Sequence, residues 1–320
     1  MSQTPSEAQV RAEVAEGIEE DIAGLARLDD SRRMAEIGFF LGAWAAGLAM
    51  IALAEREQVV GPLVPGVLLV ALALNAFLLL GHEGMHGTLL RGWRRNRWFA
   101  VLLGATTLVS FTAYRVLHHR HHRYLGDSRD PDDYHNYTEN SRLIWLLHYV
   151  RLLLGAPLYL LLIPVFGWKY AGRRDRQAIA AEYALMGGLY AWLAWTVPAG
   201  MLLKGWLVPL ALTGFFTNLR GFTQHGLVDT SDAYLASRSI HPAPLVRFLM
   251  LNENYHLEHH LFPEVPSYRL GELHRLIWKR LPRAVVNRSY SEVFVRLVQA
   301  TPRLDESPVG IVHPRDEVNP

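Results

Sequence analysis

Charge is absent from long stretches of this chain. Ile37 to Ala54 carries none, nor does Pro62 to Gly81, nor Tyr183 to Leu203, and Gly205 to Leu219 is a further such stretch before Arg220. A helix needs about 20 apolar residues to cross a hydrocarbon core. The expected architecture is therefore all-α and membrane-embedded. Four transmembrane helices are expected as two hairpins, 37–54 with 62–81 and 183–203 with 205–222. Two other apolar stretches are read as interfacial or re-entrant. Trp98–Tyr114 contains Gly104, Thr106, Thr107, Ser110 and Thr112, and Leu143–Trp168 is interrupted by His148, Arg151, Pro157 and Pro164.

The cations set an expected orientation. The loop at 55–61 carries only Arg56, and the link at 204–205 only Lys204, whereas Arg32, Arg33, Arg91, Arg94, Arg95, Arg97, Arg173, Arg174 and Arg176 cluster elsewhere. Short cytoplasmic loops hold the excess of Lys and Arg. Both termini and the 82–182 region are thus expected on the cytoplasmic side, in the inner membrane if the source is bacterial. The net charge of +2 gives no strong bias toward nucleic acid. Thr4-Pro5-Ser6-Glu7 reads as a helix start with a capping-box glutamate. Val10, Val14, Ile18, Ile22 and Leu25 then form one helical stripe. Three regions are expected: a cytosolic amphipathic helix at 1–36, a membrane domain at 37–222 and a cytosolic helical cap at 223–320.

Nine of the fifteen histidines fall in three five-residue motifs, His82-Glu-Gly-Met-His86, His118-His-Arg-His121-His122 and His256-Leu-Glu-His259-His260. Residues three and four apart share a helix face. Each motif so presents two or three imidazoles to one side. Eight such ligands exceed one metal and argue for two in one site. Imidazole suits iron, copper, nickel and zinc alike. With no cysteine, thiolate zinc and iron–sulfur clusters are excluded. All three motifs must lie on one side of the membrane to share a site, so 98–114 should not cross it.

These motifs and their surroundings, HEGMHGTL, HHRHHRYLGDSRDPD and NYHLEHHLFPEVPSY, resemble the membrane fatty acid desaturase/hydroxylase superfamily over roughly residues 60 to 275. The resemblance implies two non-haem irons at the cytosolic face, held by His82, His86, His118, His121, His122, His256, His259 and His260. It adds His225 as a ninth ligand and names no catalytic residue beyond the ligands. The implied activity is O2-dependent oxidation of an unactivated C–H bond in a lipid, by default fatty acyl desaturation. Hydroxylation, carotenoid oxidation and oxidative decarboxylation to a terminal alkene share the same boxes. The implied partners are a fatty acyl or other lipid substrate, membrane lipid and an electron donor of the ferredoxin, rubredoxin or cytochrome b5 type. That donor should be separate, because His241-Pro242-Ala243-Pro244 is not a haem-binding HPGG.

Metal-bound imidazoles give their second N–H to a carboxylate or carbonyl. Glu83, Asp130 and Glu258 are candidates for that role, with Asp132 and Asp133 near His135. Asn218, Asn252 and Asn254 are candidates for a supporting asparagine that some desaturases place where Gly221 stands. His119 reads as lying off the ligand face. His135 stands open between a ring partner and a solvated acidic turn. His148, His241, His274 and His313 read as surface or packing histidines. His82-Glu83-x-x-His86 also matches the zinc-protease motif HExxH, but that chemistry leaves the other two boxes unexplained. Glu83-x-x-His86 and Glu253-x-x-His256 mimic soluble di-iron carboxylate proteins, against which the imidazole excess and the apolar blocks both argue.

Overall fold

The computed structural model describes residues 6–125, 127–228 and 232–305, with His135 and Ala156 as backbone only. In chain order its helices are α1 Glu7–Ala15, α2 Glu19–Leu25, α3 Asp30–Glu57, α4 Leu63–His86, α5 Trp93–Ala105, α6 Phe111–Tyr124 and α7 Ser141–Tyr170. There follow α8 Arg173–Thr196, α9 Ala199–Leu202, α10 Val208–His225, α11 Pro244–Leu249, α12 His256–Leu261, α13 Leu270–Ile277 and α14 Tyr290–Ala300. A short parallel pair, β1 Arg238–Ile240 and β2 Val285–Asn287, is the one departure from an all-helical plan among the described residues.

Among the described residues three helical stretches are long and apolar enough to cross a membrane: α3, α4 and the run Ala199–His225. The pair Ser141–Gly155 and Pro157–Tyr170 is bent by 103° and is a fourth only when counted as one broken span; the same bend suits the re-entrant course expected for 143–168. The first expected hairpin coincides with α3 and α4, joined through Gln58 in the left-handed region. The second differs. α8 stops at Thr196 because Pro198 follows Val197 and holds it extended. α8 is not among the helices of spanning character: it opens on Arg173 and Arg174, and its apolar half carries Gly, Tyr and Trp. Lys204, expected in a link, lies in a π-helical turn between α9 and α10 and pairs with Glu55. The 98–114 block divides into α5 and α6, of 13 and 14 residues, each shorter than a bilayer requires. Leu108, at φ 59°, turns the chain between them.

The chain forms two compact units, and their limits differ from the sequence boundaries at 36 and 222. One comprises Leu28–His118 and Leu154–Thr217. Here α4 is the central helix, with fifteen buried residues against six for α3. The two helices touch through glycines: a Cβ on Gly47 would stand 2.8 Å from the Gly66 carbonyl oxygen. Thr213 of α10 donates to the Ala71 carbonyl of α4 at 2.9 Å.

The other unit comprises the chain up to Arg27, His119–Leu153 and the chain from Asn218. Val10, Val14 and Ile22 are buried against Leu257, Leu261, Leu273 and Ile277. Each such side chain contributes about 1.5–3 kcal/mol when fully buried. The N-terminal stripe therefore belongs to this core. It is two helices, not one, broken at Gly17 with φ 72°. Thr4 and Pro5 lie outside the described residues. The cap is Ser6, and its capping box closes on Gln9 instead of a glutamate, because Gln9 is the residue three places on. A second core gathers Trp145, Phe222, Ile240, Val293 and Leu297.

Candidate metal centre

The first unit places His82 and His86 on the last turn of α4 and His118 on α6. The Nε2 atoms of His86 and His118 are 2.7 Å apart, and the His82 ring centroid is 4.3 Å from that of His118. One nitrogen from each of the three lies within 4.8 Å of the others. Local chemistry fixes this turn. Gly87, at φ 78°, ends α4, and Thr88 N donates to the Glu83 carbonyl at 3.0 Å. Asn96 of α5 clasps the same end: its Nδ2 donates to the Gly84 carbonyl at 2.7 Å, and its Oδ1 accepts from Leu89 N at 3.1 Å. Glu83, expected as a ring partner, forms a buried ion pair with Arg33, whose guanidinium also reaches Glu36 at 2.9 Å.

The second unit gathers His121 and His122 of α6, His225 at the end of α10, and His256, His259 and His260 of α12. Nitrogens of His121, His225 and His260 lie within 4.8 Å of one another. The Nε2 of His225 is 2.8 Å from that of His256 and 3.4 Å from that of His121. His122 stacks on His260 at 4.2 Å, and its centroid is 5.1 Å from that of His259. Asp130 accepts from Nδ1 of His121 at 3.0 Å. The Ala236 carbonyl accepts from Nδ1 of His225 at 3.2 Å. With Nδ1 so bonded, each ring turns its Nε2 edge toward the neighbouring imidazoles.

The electrostatics match that arrangement. Burial draws the His121 imidazolium down, but the bond and charge of Asp130 outweigh it and leave the ring more basic than usual. Burial, reinforced by the neighbouring imidazoles, holds His260 well below the ordinary histidine range, so this ring is neutral. Both His260 nitrogens are buried without a hydrogen-bond partner among the described residues. An unsatisfied buried polar atom costs about 1–3 kcal/mol. Converging imidazole nitrogens are a donor set for a transition-metal ion, and these residues fit one.

Glu258 lies inside the third box, yet its carboxylate faces away from the ligands. It pairs with His274 and accepts from Ser239. Burial alone would raise its pKa; His274 and Ser239 together lower it below the ordinary carboxylate range. His274, read from sequence as a surface or packing residue, is thus a buried hydrogen-bond partner 2% exposed, with His241 packed on it at 4.8 Å. Asn254 donates to the Ile240 carbonyl at 2.7 Å, and Asn252 takes a left-handed turn at φ 60°. Both shape the approach to α12. Glu253 is fully buried, 3.7 Å from Arg220, and its Oε2 is 3.8 Å from Nδ1 of His256. Asn218 is buried, His119 is exposed, and His148 packs on Phe222. His313 lies outside the described residues and the His135 side chain is likewise undescribed. Arg33, Asn96, Ser239 and His274 carried no sequence signal, because nothing in their local spacing marks the partner.

Helices of spanning character together with imidazole clusters able to hold a metal ion are the marks of a membrane metalloprotein. A family profile described as fatty acid desaturase matches residues 60–291. The chain belongs to that family and is an integral membrane oxidoreductase. It is 25% identical over 260 residues to the dihydrorhizobitoxine desaturase of Bradyrhizobium elkanii, covering 74% of this chain and 73% of that protein. It is 25% identical over 237 residues to a chloroplastic omega-3 fatty acid desaturase of Glycine max, covering 62% of this chain and 50% of the other. A sphingolipid delta(4)-desaturase/C4-monooxygenase of Rattus norvegicus is 26% identical over 196 residues, covering 59% and 56% respectively.

Proposed function

We propose that this protein desaturates a fatty acyl chain of a lipid, using O2 and two non-haem irons. The ligands assigned are His82, His86, His118, His121, His122, His225, His256, His259 and His260. The observation that carries this reading is the convergence of imidazole nitrogens, with both nitrogens of His260 buried and without a hydrogen-bond partner among the described residues. Bound iron supplies the oxygen activation. In the balanced reaction the acyl chain loses two hydrogens and O2 leaves as two waters. Two of the four electrons come from the substrate, and two come with two protons from outside.

The chain's own part is to hold and shield. Asp130 and the Ala236 carbonyl keep the Nδ1 protons of His121 and His225 in place, which fixes the tautomer and lends basicity to Nε2. Burial of His118, His121, His256, His259 and His260 keeps bulk water from the ligands. The external electrons are assigned to a separate ferredoxin, rubredoxin or cytochrome b5 type donor. In topology, the reading keeps 37–222 as the membrane domain, with 1–36, 223–320 and both clusters cytoplasmic, following the arginine distribution.

Oxygen insertion is the second reading, favoured by one relative whose name joins a desaturase to a monooxygenase. Mass spectrometry of lipids and hydrocarbons tests both in cells making the protein with a donor under 18O2. A new double bond without label, absent in His121→Ala, is the expected result. A labelled hydroxyl selects the second reading. A product profile identical to that of His121→Ala would sink both.

A further inference from the structure

The start of α6, the helix on which His118, His121 and His122 lie, is held by an acid from another helix. Ser110 caps α6, its Oγ accepting from Ala113 N at 3.1 Å. Glu182 of α8 then closes on the same turn. Its Oε2 accepts from Thr112 N at 3.0 Å and from the Ser110 hydroxyl at 2.6 Å. Its Oε1 accepts from the Thr112 hydroxyl at 2.5 Å, with the Arg97 guanidinium of α5 3.8 Å away. Glu182, Ser110 and Thr112 are 7%, 1% and 0% exposed.

A buried carboxylate in an apolar unit is costly unless its oxygens are bonded. Here three donors and a guanidinium meet it. The first N–H groups of a helix have no partner of their own, and the positive end of the helix dipole favours an anion. The surroundings leave little room for an alternative seat. A Cβ on Gly104 would stand 2.6 Å from the Val109 carbonyl oxygen, and one on Gly167 would stand 2.7 Å from the Ala113 Cβ. Both glycines let neighbouring backbone close around the turn that Glu182 binds.

We infer that Glu182 is a positioning residue for the metal ligands of α6: α8 lends it to fix where that helix begins. The inference rests on the di-iron reading above. His118 lies two turns beyond Phe111, about 10 Å along the axis. A tilt of roughly 10° at the capped end would move it by about 2 Å, whereas metal–ligand distances tolerate about 0.2 Å.

The test is cobalt(II) titration of the purified full-length protein in detergent, following the visible ligand-field spectrum and thermal unfolding. Glu182→Leu should bind cobalt on the order of tenfold more weakly than wild type, with an altered spectrum. Glu182→Gln keeps one acceptor oxygen and should fall between. Lys204→Met, which removes the pairing with Glu55, is the control for general destabilisation and should bind as wild type does. Wild-type affinity and spectrum in folded Glu182→Leu would overturn the inference, as would an equal loss in Lys204→Met. Should Glu182→Leu not fold, the same criteria are applied to Glu182→Gln. Wild type without cobalt binding, or His118→Ala binding like wild type, would bring down the di-iron reading itself. A normal His118→Ala defect beside an unaffected Glu182→Leu would bring down only the inference.

Discussion

At the scale of the residue, the site is defined as much by the partners of its polar groups as by the histidines. Glu83 sits between two histidines of one motif, yet its charge is answered by Arg33 from α3, a residue 0% exposed. Replacing a buried ion pair as a unit can be nearly neutral, but removing one partner leaves an uncompensated charge. Arg33→Met should therefore destabilise the protein by about 3–5 kcal/mol, and Arg33→Met with Glu83→Leu should recover much of that loss. Denaturant unfolding in detergent checks it. A double variant no better than the single one would mean that the pair is not the source of the effect. Asp130 shows the opposite arrangement: there the carboxylate does bond a candidate ligand, because the turn at Asp127–Asp130 folds back toward His121.

At the scale of the element, α12 is six residues long, too short to persist on its own. Its shape comes from tethers. Glu258 is tied to His274 of α13 and to Ser239 of β1, and β1 is in turn registered against β2. The two short strands thus have a purpose in the fold: they present Ser239 to the third box. His274→Leu strands Glu258 in the core and should cost about 3–5 kcal/mol. His241→Leu, which only loses ring packing, should cost distinctly less. Comparable losses for the two, measured by denaturant unfolding, would show that packing and not the hydrogen-bonded tether governs α12.

At the scale of the whole molecule, the N-terminal residues belong to the unit that carries the third box. Val10 and Val14 are completely buried, against the same core as Leu257 and Leu261, which flank His259 and His260. Arg280 adds a bond to the Glu16 carbonyl at 2.5 Å, and Arg11 pairs with Glu264 at 2.5 Å. Val14→Asp places an unpaired carboxylate in that core and should destabilise by several kcal/mol. The surface change Glu20→Gln should be within about 0.5 kcal/mol. Thermal unfolding of the two variants decides: a tolerant Val14→Asp would mean that the N-terminal helices are dispensable to this unit.

The apolar blocks and the histidine boxes were legible in the sequence for one reason. Both are periodic or contiguous signals, and helical geometry converts them directly into a spanning length or a shared face. His82 and His86, or His256 with His259 and His260, could be named as one-sided pairs and triples before any contact was known. The break at Val197–Pro198 carried a local signal too, in the proline, but a charge at Lys204 was the more conspicuous mark and misplaced the turn. What only the tertiary structure decided is which nitrogen each ring presents and which group holds the other. Arg33 with Glu83 is fifty residues apart in sequence, Ser110 with Glu182 seventy-two, and His274 with Glu258 sixteen. No periodicity links such pairs. They are selected by burial, where a charge without a partner is too costly to keep, and burial is a property of the folded chain alone.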